Sequence, residues 1–345
     1  MTGVNAEWLG GDVKAWAQSI RNGYIRAFII LALHETGVFE ALRRRGGRTA
    51  QELAAECDVD AHLLEGTLNF LAHADRVIEK RDGRFSLGER GDWVFADQVL
   101  AMSYGAVGGY ASLLYNMVDT LKGRKRYGVD FVRPGDLIAK GSYYTGKSNY
   151  PWVVSQFQQL GARVVADLGC GSGDVVIAFC KLDPSLHGVG IDIAPAALEE
   201  ARRRADAAGV ADRIRWMLGD VQRPATWAAS VPDVQAFNAI MVIHEFLRDG
   251  EDAVVEMFRR MKEAFPGRHF LMGEFDRISD DEYEQMPYPD RIHPLFYQEI
   301  IHPHTWQGLP ITKEAWLRIF ELAGTEVVTM KDDFPFRLVE FVVRF

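Results

Sequence analysis

The sequence predicts an α/β protein in which a doubly wound, mostly parallel sheet follows a mainly helical N-terminal region. Three observations favour this fold class. Apolar residues recur at helical spacing through the N-terminal part, short strand-like runs alternate with helix-like segments after Arg163, and two further strand-like runs lie near the C-terminus. The 345 residues exceed the roughly 150 of an average domain, so we expect more than one domain.

The N-terminal part has the element order of a winged helix. A capping-box spacing at Thr49 and Glu52 starts one helix, residues 61–74 form a second, and Asp82-Gly83 would join two short strands. We predict a winged-helix domain over residues 1–95. Because residues 61–74 contain neither Lys nor Arg, we expect a dimerisation module rather than a DNA reader.

Two further segments complete the predicted organisation. Residues 96–160 should form a helical linker that covers a site and ends in a glycine- and tyrosine-rich loop over residues 123–150. Residues 161–345 should form a catalytic domain. The strand-like runs of this domain are 164–168, 188–193, 214–218, 239–243 and 269–273. Residues 326–331 and 337–344 would add an antiparallel pair at one edge of the sheet.

Composition excludes several classes of protein. The 39 Lys and Arg against 48 Asp and Glu give a net charge of −9, which disfavours nucleic acid as a partner. Three cysteines without a CxxC spacing indicate a reducing compartment, and we therefore expect a cytoplasmic protein. The most apolar early run, residues 27–33, is too short to span a bilayer, so no membrane association is expected.

A glycine-rich loop follows the first strand of the predicted catalytic domain. Its sequence is Asp167-Leu168-Gly169-Cys170-Gly171-Ser172-Gly173, and Asp192 and Gly219-Asp220 end the next two strands. An acid at the end of the second strand can accept hydrogen bonds from ribose hydroxyls, and one at the end of the third can accept an adenine amino group. The alternating glycines favour backbone approach to a sulfonium amino-acid cofactor over a pyrophosphate.

These motifs resemble those of the class I S-adenosylmethionine-dependent methyltransferases, which have a Rossmann-like fold. With the N-terminal part included, the chain resembles the small-molecule O-methyltransferase-like group, whose members are homodimers interlocked through that domain. The resemblance implies S-adenosyl-L-methionine as cofactor and a homodimer. It assigns cofactor binding to Asp167, Gly169, Gly171, Gly173, Asp192 and Asp220.

Histidines follow the last two parallel strands, at the sheet edge where substrates bind in open α/β folds. His244-Glu245 comes after the fourth run, and His293, His302 and His304 lie in a predicted loop after the fifth. In plant-like O-methyltransferases the residue at the position of His244 is a general base, a role suited to imidazole. Two imidazoles from separate segments could instead bind a metal ion.

The second possibility resembles the metal-dependent 2-oxo-acid C3-methyltransferases of the phenylpyruvate type. The resemblance implies that His244 and His302 bind iron or zinc, that Arg133 binds the substrate carboxylate and that Tyr104 walls the pocket. Met241 could line the same pocket. The sequence departs from that family at Glu245, where an Asp is expected, and at Pro134.

The leading hypothesis is therefore methylation of C3 of a small-molecule 2-oxo acid through a metal-chelated enolate. We assign catalytic roles to His244, Glu245 and Arg133, with Glu245 as the proton acceptor and His304 or a metal-bound hydroxide as alternatives. A metal-free small-molecule O-methyltransferase with His244 as general base is the alternative. A cofactor-sensing regulator built on the winged helix is a third hypothesis.

Overall fold

A computed structural model describes residues 6–285, 296–333 and 337–345, and the chain divides into two compact units. The first unit is Met1–Ala111 and the second is Ser112–Phe345. The predicted linker, residues 96–160, is thus shared between the two units. The division into three segments stays a prediction.

The first unit is mainly helical. Its helices and strands are α1 (Ala6–Glu35), α2 (Val38–Arg44), α3 (Ala50–Cys57), α4 (Ala61–Ala74), β1 (Ile78–Arg81), β2 (Arg84–Leu87) and α5 (Asp97–Ala101), followed by a π-helical stretch, Met102–Gly109. Strands β1 and β2 pair antiparallel, as the Asp82-Gly83 turn predicts. The predicted order of helix, helix and hairpin is therefore present.

Local capping fixes where the helices of the first unit begin. The Thr49 hydroxyl accepts a hydrogen bond from the Glu52 backbone, and the Glu52 carboxylate accepts one from the Thr49 backbone, which completes the predicted capping box. The Asp60 carboxylate caps α4 through the Leu63 N–H. The buried faces of α2, α3 and α4 then close one apolar core around the fully buried Phe39 and Phe85.

The second unit alternates helices and strands. Its elements are α6 (Ala111–Leu121), α7 (Gly135–Gly146), α8 (Tyr150–Gln159), β3 (Val164–Leu168), α9 (Asp174–Leu182), β4 (His187–Asp192), α10 (Pro195–Ala208), β5 (Ile214–Leu218), β6 (Ala236–Ile240), α11 (Glu251–Ala264), β7 (His269–Phe275), α12 (Asp280–Gln285), α13 (Phe296–Thr305), α14 (Lys313–Ala323), β8 (Glu326–Asp333) and β9 (Leu338–Arg344). A short 3-10 helix, Ile243–Asp249, lies between β6 and α11.

The strands of this unit form a seven-stranded sheet in the order β5-β4-β3-β6-β7-β9-β8. Strands β3 to β7 pair parallel, and β9 pairs antiparallel with β7 and β8. The predicted fold class is confirmed, including the antiparallel edge pair. The strand order reverses at β3 and β6, and open α/β sheets bind ligands at the carboxyl ends of the strands beside such a switch point.

Three local predictions are wrong. Strand β6 ends at Ile240, so His244 lies in a 3-10 helix and not directly after a strand. The predicted glycine- and tyrosine-rich loop contains helix α7, and the predicted loop around His302 is helix α13 despite Pro303. The last two errors share one physical cause, because tertiary packing overrides the loop preference of glycine and proline in these segments. His293 lies outside the described residues.

Candidate functional site

The glycine loop joins β3 to α9 through backbone conformations that few residues can adopt. Gly169, Gly171 and Gly173 all have positive φ, at 68°, 51° and 79°. A Cβ on Gly173 would lie 2.4 Å from the Trp216 ring, so a side chain there has no room. A Cβ on Gly171 would meet nothing within 4 Å. The backbone at Gly171 is therefore open to a ligand.

Asp192 lies at the end of β4 and ties the glycine loop to the next helix. One carboxylate oxygen accepts the Gly171 N–H at 2.8 Å, and the other accepts the Ala194 N–H at 2.8 Å. Each oxygen keeps a second lone pair, which fits the predicted role towards ribose hydroxyls. Asp220, after β5, accepts the Gln222 N–H at 2.9 Å and lies 3.2 Å from the Arg223 guanidinium.

Asp167 is buried in β3 below the glycine loop. Its Oδ1 accepts a 2.7 Å hydrogen bond from the Asn238 amide of β6, and Oδ2 has no hydrogen-bond partner among the described residues. Burial raises the pKa of Asp167 to about 7, although the Asn238 hydrogen bond opposes the shift. A positively charged ligand group at this strand end would stabilise the ionised carboxylate. Asp167, Asp192 and the open Gly171 backbone therefore fit S-adenosylmethionine.

The second candidate region lies at the carboxyl ends of β6 and β7, where Glu274 organises the turn that carries His244. Glu274 is fully buried, and its Oε1 accepts the N–H groups of Val242, Ile243 and His244 at 3.1, 2.7 and 3.1 Å. Its Oε2 lies 2.8 Å from Nδ1 of His244. The carboxylate thereby fixes both the backbone and the imidazole.

His302 of α13 stacks on His244. The ring centroids are 5.0 Å apart and the rings are inclined by 10°. Burial and the neighbouring His244 lower the pKa of His302 to about 3. Burial also disfavours the charged form of His244, but the Glu274 carboxylate outweighs burial and raises its pKa. Two buried imidazoles thus have opposite pKa shifts because only His244 has a carboxylate partner.

Arg133 and Glu245 meet at the same place through Gln307. Nη2 of Arg133 is 3.6 Å from Oε1 of Glu245, and Nη1 donates a 2.9 Å hydrogen bond to the Gln307 side-chain oxygen. The Gln307 amide donates a 2.5 Å hydrogen bond to Glu245. Arg133 also lowers the pKa of both His244 and His302 through its charge. Arg133, His244, Glu245 and His302 are thus brought together.

Close backbone packing fixes the distance between the two histidine segments. A Cβ added to Gly308 would lie 2.1 Å from the His244 carbonyl oxygen and 2.6 Å from the Arg248 nitrogen. Only glycine permits this approach.

Met241 adopts φ 56° immediately after β6, and its N–H donates to the Gly273 carbonyl at 2.8 Å. A positive φ at a non-glycine residue is costly and is common at functional sites.

The donor set can be tested against a metal ion. Binding by imidazole needs a neutral ring with an available nitrogen, and Nδ1 of His302 is buried without a hydrogen-bond partner in the described part of the chain. Within the same residues no three His, Cys, Asp or Glu side chains are grouped as a metal site. The described residues therefore offer His302, through Nδ1, and His244 as candidate imidazole ligands, and metal binding by them stays a prediction.

The two candidate regions are in contact. A Cβ on Gly169 would lie 2.7 Å from the Val242 side chain, two residues before His244.

Tyr104, the predicted pocket wall, lies in the first unit within the π-helical stretch. It is buried, and its ring centroid is 6.4 Å from that of His34. Its role at the site stays a prediction.

Sequence reasoning missed three residues of these regions. Glu274, Asn238 and Gln307 make the contacts described above, yet none was a candidate. Glu274 and Asn238 interrupt the apolar runs of β7 and β6, and a polar residue inside such a run is a signal that could have identified them. Gln307 has no comparable signal in the sequence.

Comparisons with known proteins agree with this geometry. Residues 165–264 match the family model described as a methyltransferase domain. The chain is 24% identical over 329 residues to methyltransferase ungE' of Aspergillus campestris, covering 93% of this chain and 94% of that protein.

Two solved structures cover nearly the whole chain. One is the mitomycin 7-O-methyltransferase MmcR, at 19% identity and a TM-score of 0.66, covering 98% of this chain and 99% of that one. The other is human N-acetylserotonin methyltransferase in complex with S-adenosylmethionine, at 18% identity and a TM-score of 0.67, covering 96% and 97%.

These matches confirm the fold class and the type of enzyme. The chain is an S-adenosylmethionine-dependent methyltransferase with an O-methyltransferase-like fold. No helix in residues 6–285, 296–333 or 337–345 is long and apolar enough to cross a bilayer.

Proposed function

We propose that the enzyme methylates C3 of a small 2-oxo acid and needs a bound iron or zinc ion to do so. The observation that carries the proposal is the stacked pair of buried imidazoles, His244 and His302. His302 has a low pKa, and its Nδ1 has no hydrogen-bond partner among the residues that the structure describes. A buried, dehydrated ring nitrogen without a partner is destabilising in a protein interior, and a metal ion relieves that cost.

Each neighbouring side chain has a role in this reaction. The Arg133 guanidinium would bind the substrate carboxylate, since arginine matches the planar carboxylate geometry. Glu245, 3.6 Å from Arg133, is placed to accept the C3 proton next to that carboxylate. Glu274 would hold His244 in one tautomer by accepting its Nδ1 hydrogen.

The bound groups supply the remaining chemistry. A metal ion held by His244 and His302 would polarise the ketone and acidify the C3–H bond. S-adenosylmethionine supplies an electrophilic methyl group when bound at the glycine loop. The net reaction transfers CH3 to C3 and leaves S-adenosylhomocysteine, while the proton from C3 passes to Glu245. Contact between Gly169 and Val242 supports a short path between the two regions.

A metal-free O-methyltransferase is the second candidate, and one observation favours it. Glu274 both orients His244 and raises its pKa, which is the arrangement of a general base with a carboxylate partner. The mitomycin 7-O-methyltransferase among the structural neighbours acts on oxygen, as its name states. In this case His302 would serve only as packing for His244.

Removal of the metal distinguishes the two candidates. The enzyme should lose activity on a panel of 2-oxo acids after dialysis against a chelator and regain it with Fe²⁺ or Zn²⁺. His302→Ala should lower both the bound metal and the activity at least about 100-fold, while the matched control His187→Ala should change neither. Mass spectrometry and NMR would locate the new methyl group. Full activity without metal, or in His302→Ala, would exclude the metal-dependent reaction.

We also propose that the enzyme is a homodimer through its first unit. Trp16, Ile20 and Tyr24 recur one helical turn apart on α1 and expose 67%, 55% and 68% of their surface. An exposed apolar stripe of this kind is typical of an interface. Sedimentation should give about twice the 38.8 kDa chain mass. The double variant Ile20→Glu/Tyr24→Glu should be monomeric and the control Gln18→Glu dimeric, and a monomeric wild type would contradict the proposal.

A further inference from the structure

Gln307 connects Arg133 and Glu245, the two opposite charges of the candidate region at the carboxyl ends of β6 and β7 (the acceptor region). Its side-chain oxygen accepts from Arg133 at 2.9 Å, and its amide nitrogen donates to Glu245 at 2.5 Å. The direct contact between Arg133 and Glu245 is longer, at 3.6 Å. A charge-assisted contact between guanidinium and carboxylate normally closes to about 2.7–2.9 Å. The amide therefore bonds to both groups while the guanidinium and the carboxylate stay 3.6 Å apart, within ion-pair distance but longer than a direct hydrogen bond.

The position of Gln307 is fixed by the turn that ends α13. Its backbone N–H donates to the His302 carbonyl at 3.0 Å, and the buried Thr305 hydroxyl lies 3.0 Å from its side-chain oxygen. Trp306 adopts φ 62°, which turns the chain back towards the site. Gly308 then packs on the His244 carbonyl. The same turn thus places His302 and Gln307.

An amide makes this bridge without changing the charge of the site. It accepts from the guanidinium and donates to the carboxylate at the same time. A carboxylate at position 307 would accept from Arg133 but repel Glu245, and an ammonium group could not accept from Arg133. An apolar side chain would leave Arg133 and Glu245 to attract each other directly.

We propose that Gln307 is a positioning residue that sets the orientation of the Arg133 guanidinium relative to Glu245, so that the guanidinium can bind a carboxylate of the substrate. The inference rests on the proposed 2-oxo-acid function, because Arg133 is the carboxylate-binding residue there.

The test compares binding of a charged and an uncharged ligand. In the holoenzyme with S-adenosylhomocysteine, Gln307→Met should weaken the affinity for phenylpyruvate about tenfold to a hundredfold. Its affinity for the methyl ester of phenylpyruvate, which lacks the carboxylate charge, should stay within about twofold. Gln307→Glu should weaken phenylpyruvate binding further. Gln159→Met, which alters an exposed glutamine of α8, should change neither affinity.

Kinetics and a structure of the variant complete the test. KM for the oxo acid should rise more than kcat falls in Gln307→Met, whereas a purely structural defect would weaken acid and ester alike. In a crystal structure of Gln307→Met, the distance from Arg133 Nη2 to Glu245 Oε1 should shrink from 3.6 Å to about 3 Å or less.

The outcomes separate the two proposals. If the wild type binds neither ligand, the 2-oxo-acid function is wrong, and the Arg133–Glu245 distance in the variant still decides whether Gln307 positions Arg133 relative to Glu245. If the wild type binds phenylpyruvate and Gln307→Met binds it equally well with Arg133 unmoved, the role of Gln307 is overturned while the function stands.

Discussion

The cofactor region and the acceptor region lie at the carboxyl ends of neighbouring strands but are built from different interactions. At the ends of β3 and β4 the backbone itself forms the site, through three glycines with positive φ and a half-buried carboxylate, Asp192, that accepts two N–H groups. At the ends of β6 and β7 a buried carboxylate, Glu274, holds the turn, and the remaining groups come from distant segments of the chain.

This difference has a physical consequence for substitution. The cofactor region is formed mainly by the backbone of one loop, so a change at an open position such as Gly171 should act on ligand binding more than on the fold. In the acceptor region one buried charge satisfies three backbone donors and one imidazole, so its removal should affect stability and chemistry together.

The largest expected effect follows loss of Glu274. Glu274→Ala leaves three buried N–H groups and the His244 ring without their acceptor, so we expect a loss of about 3 to 5 kcal/mol in unfolding free energy. Activity should fall at least about 100-fold. Denaturant unfolding and methyl-transfer assays would measure both.

The matched variant Glu274→Gln sharpens the result. Its amide oxygen can still accept from the backbone, so about 1 to 2 kcal/mol should be lost while the charge partner of His244 disappears. Equal stability of Glu274→Ala and the wild type would show that the acceptor region does not depend on this carboxylate.

Two glycine variants separate folding from cofactor binding at the other region. Gly173→Ala should cost about 3 kcal/mol, because its Cβ would lie 2.4 Å from the Trp216 ring at a positive φ. Gly171→Ala should cost about 1 kcal/mol, since its Cβ enters open space. Only Gly171→Ala should bind S-adenosylmethionine weakly while it remains folded, as calorimetry would detect. Unchanged affinity in Gly171→Ala would mean that the open backbone does not approach the ligand.

A further effect, which depends on pH, concerns Asp167. Its folded-state pKa, about 7, lies above the ordinary value of 3.8, so the folded protein holds the proton more tightly than the unfolded chain. This stability is full below the unfolded pKa and is lost as the pH rises towards 7 and above. In the wild type the unfolding free energy should fall between pH 5 and pH 8. In Asp167→Asn this fall should be smaller by about 2 kcal/mol.

Asp183→Asn is the control for that measurement. Hydrogen bonds from Gln158 and Ser185 lower the pKa of Asp183 to about 2, so it stays ionised between pH 5 and pH 8 in both states. The variant should lower stability equally across this interval. If Asp167→Asn leaves the pH dependence unchanged, the buried carboxyl does not carry a proton near neutral pH.

The same contrast explains what the sequence could predict. The strand runs, the Asp60 and Thr49 caps and the glycine loop depend on neighbouring residues, and they lie at the predicted places. The predicted end of β6 is wrong because residues 241–243 are as apolar as a strand, whereas Glu274 draws the N–H groups that follow Met241 into a turn.

Long-range contacts account for what was missed at the site. His244 and His302 were chosen as a pair, and their rings stack at 5.0 Å. Gln307 bridges Arg133, 174 positions away, and Glu245, 62 positions away, so no local pattern can identify it. The assignments of individual residues to catalysis and to metal or cofactor binding stay predictions.

The contact between Gly308 and the His244 carbonyl has a further consequence for how the enzyme could acquire a new acceptor. The two histidine-bearing segments touch main chain to main chain, and their spacing is therefore independent of the flanking side chains. Trp306 and Leu309, which flank Gln307 and Gly308, are solvent-facing. Exchange of these two residues would change the exposed surface beside the acceptor region while the separation of the imidazoles is preserved.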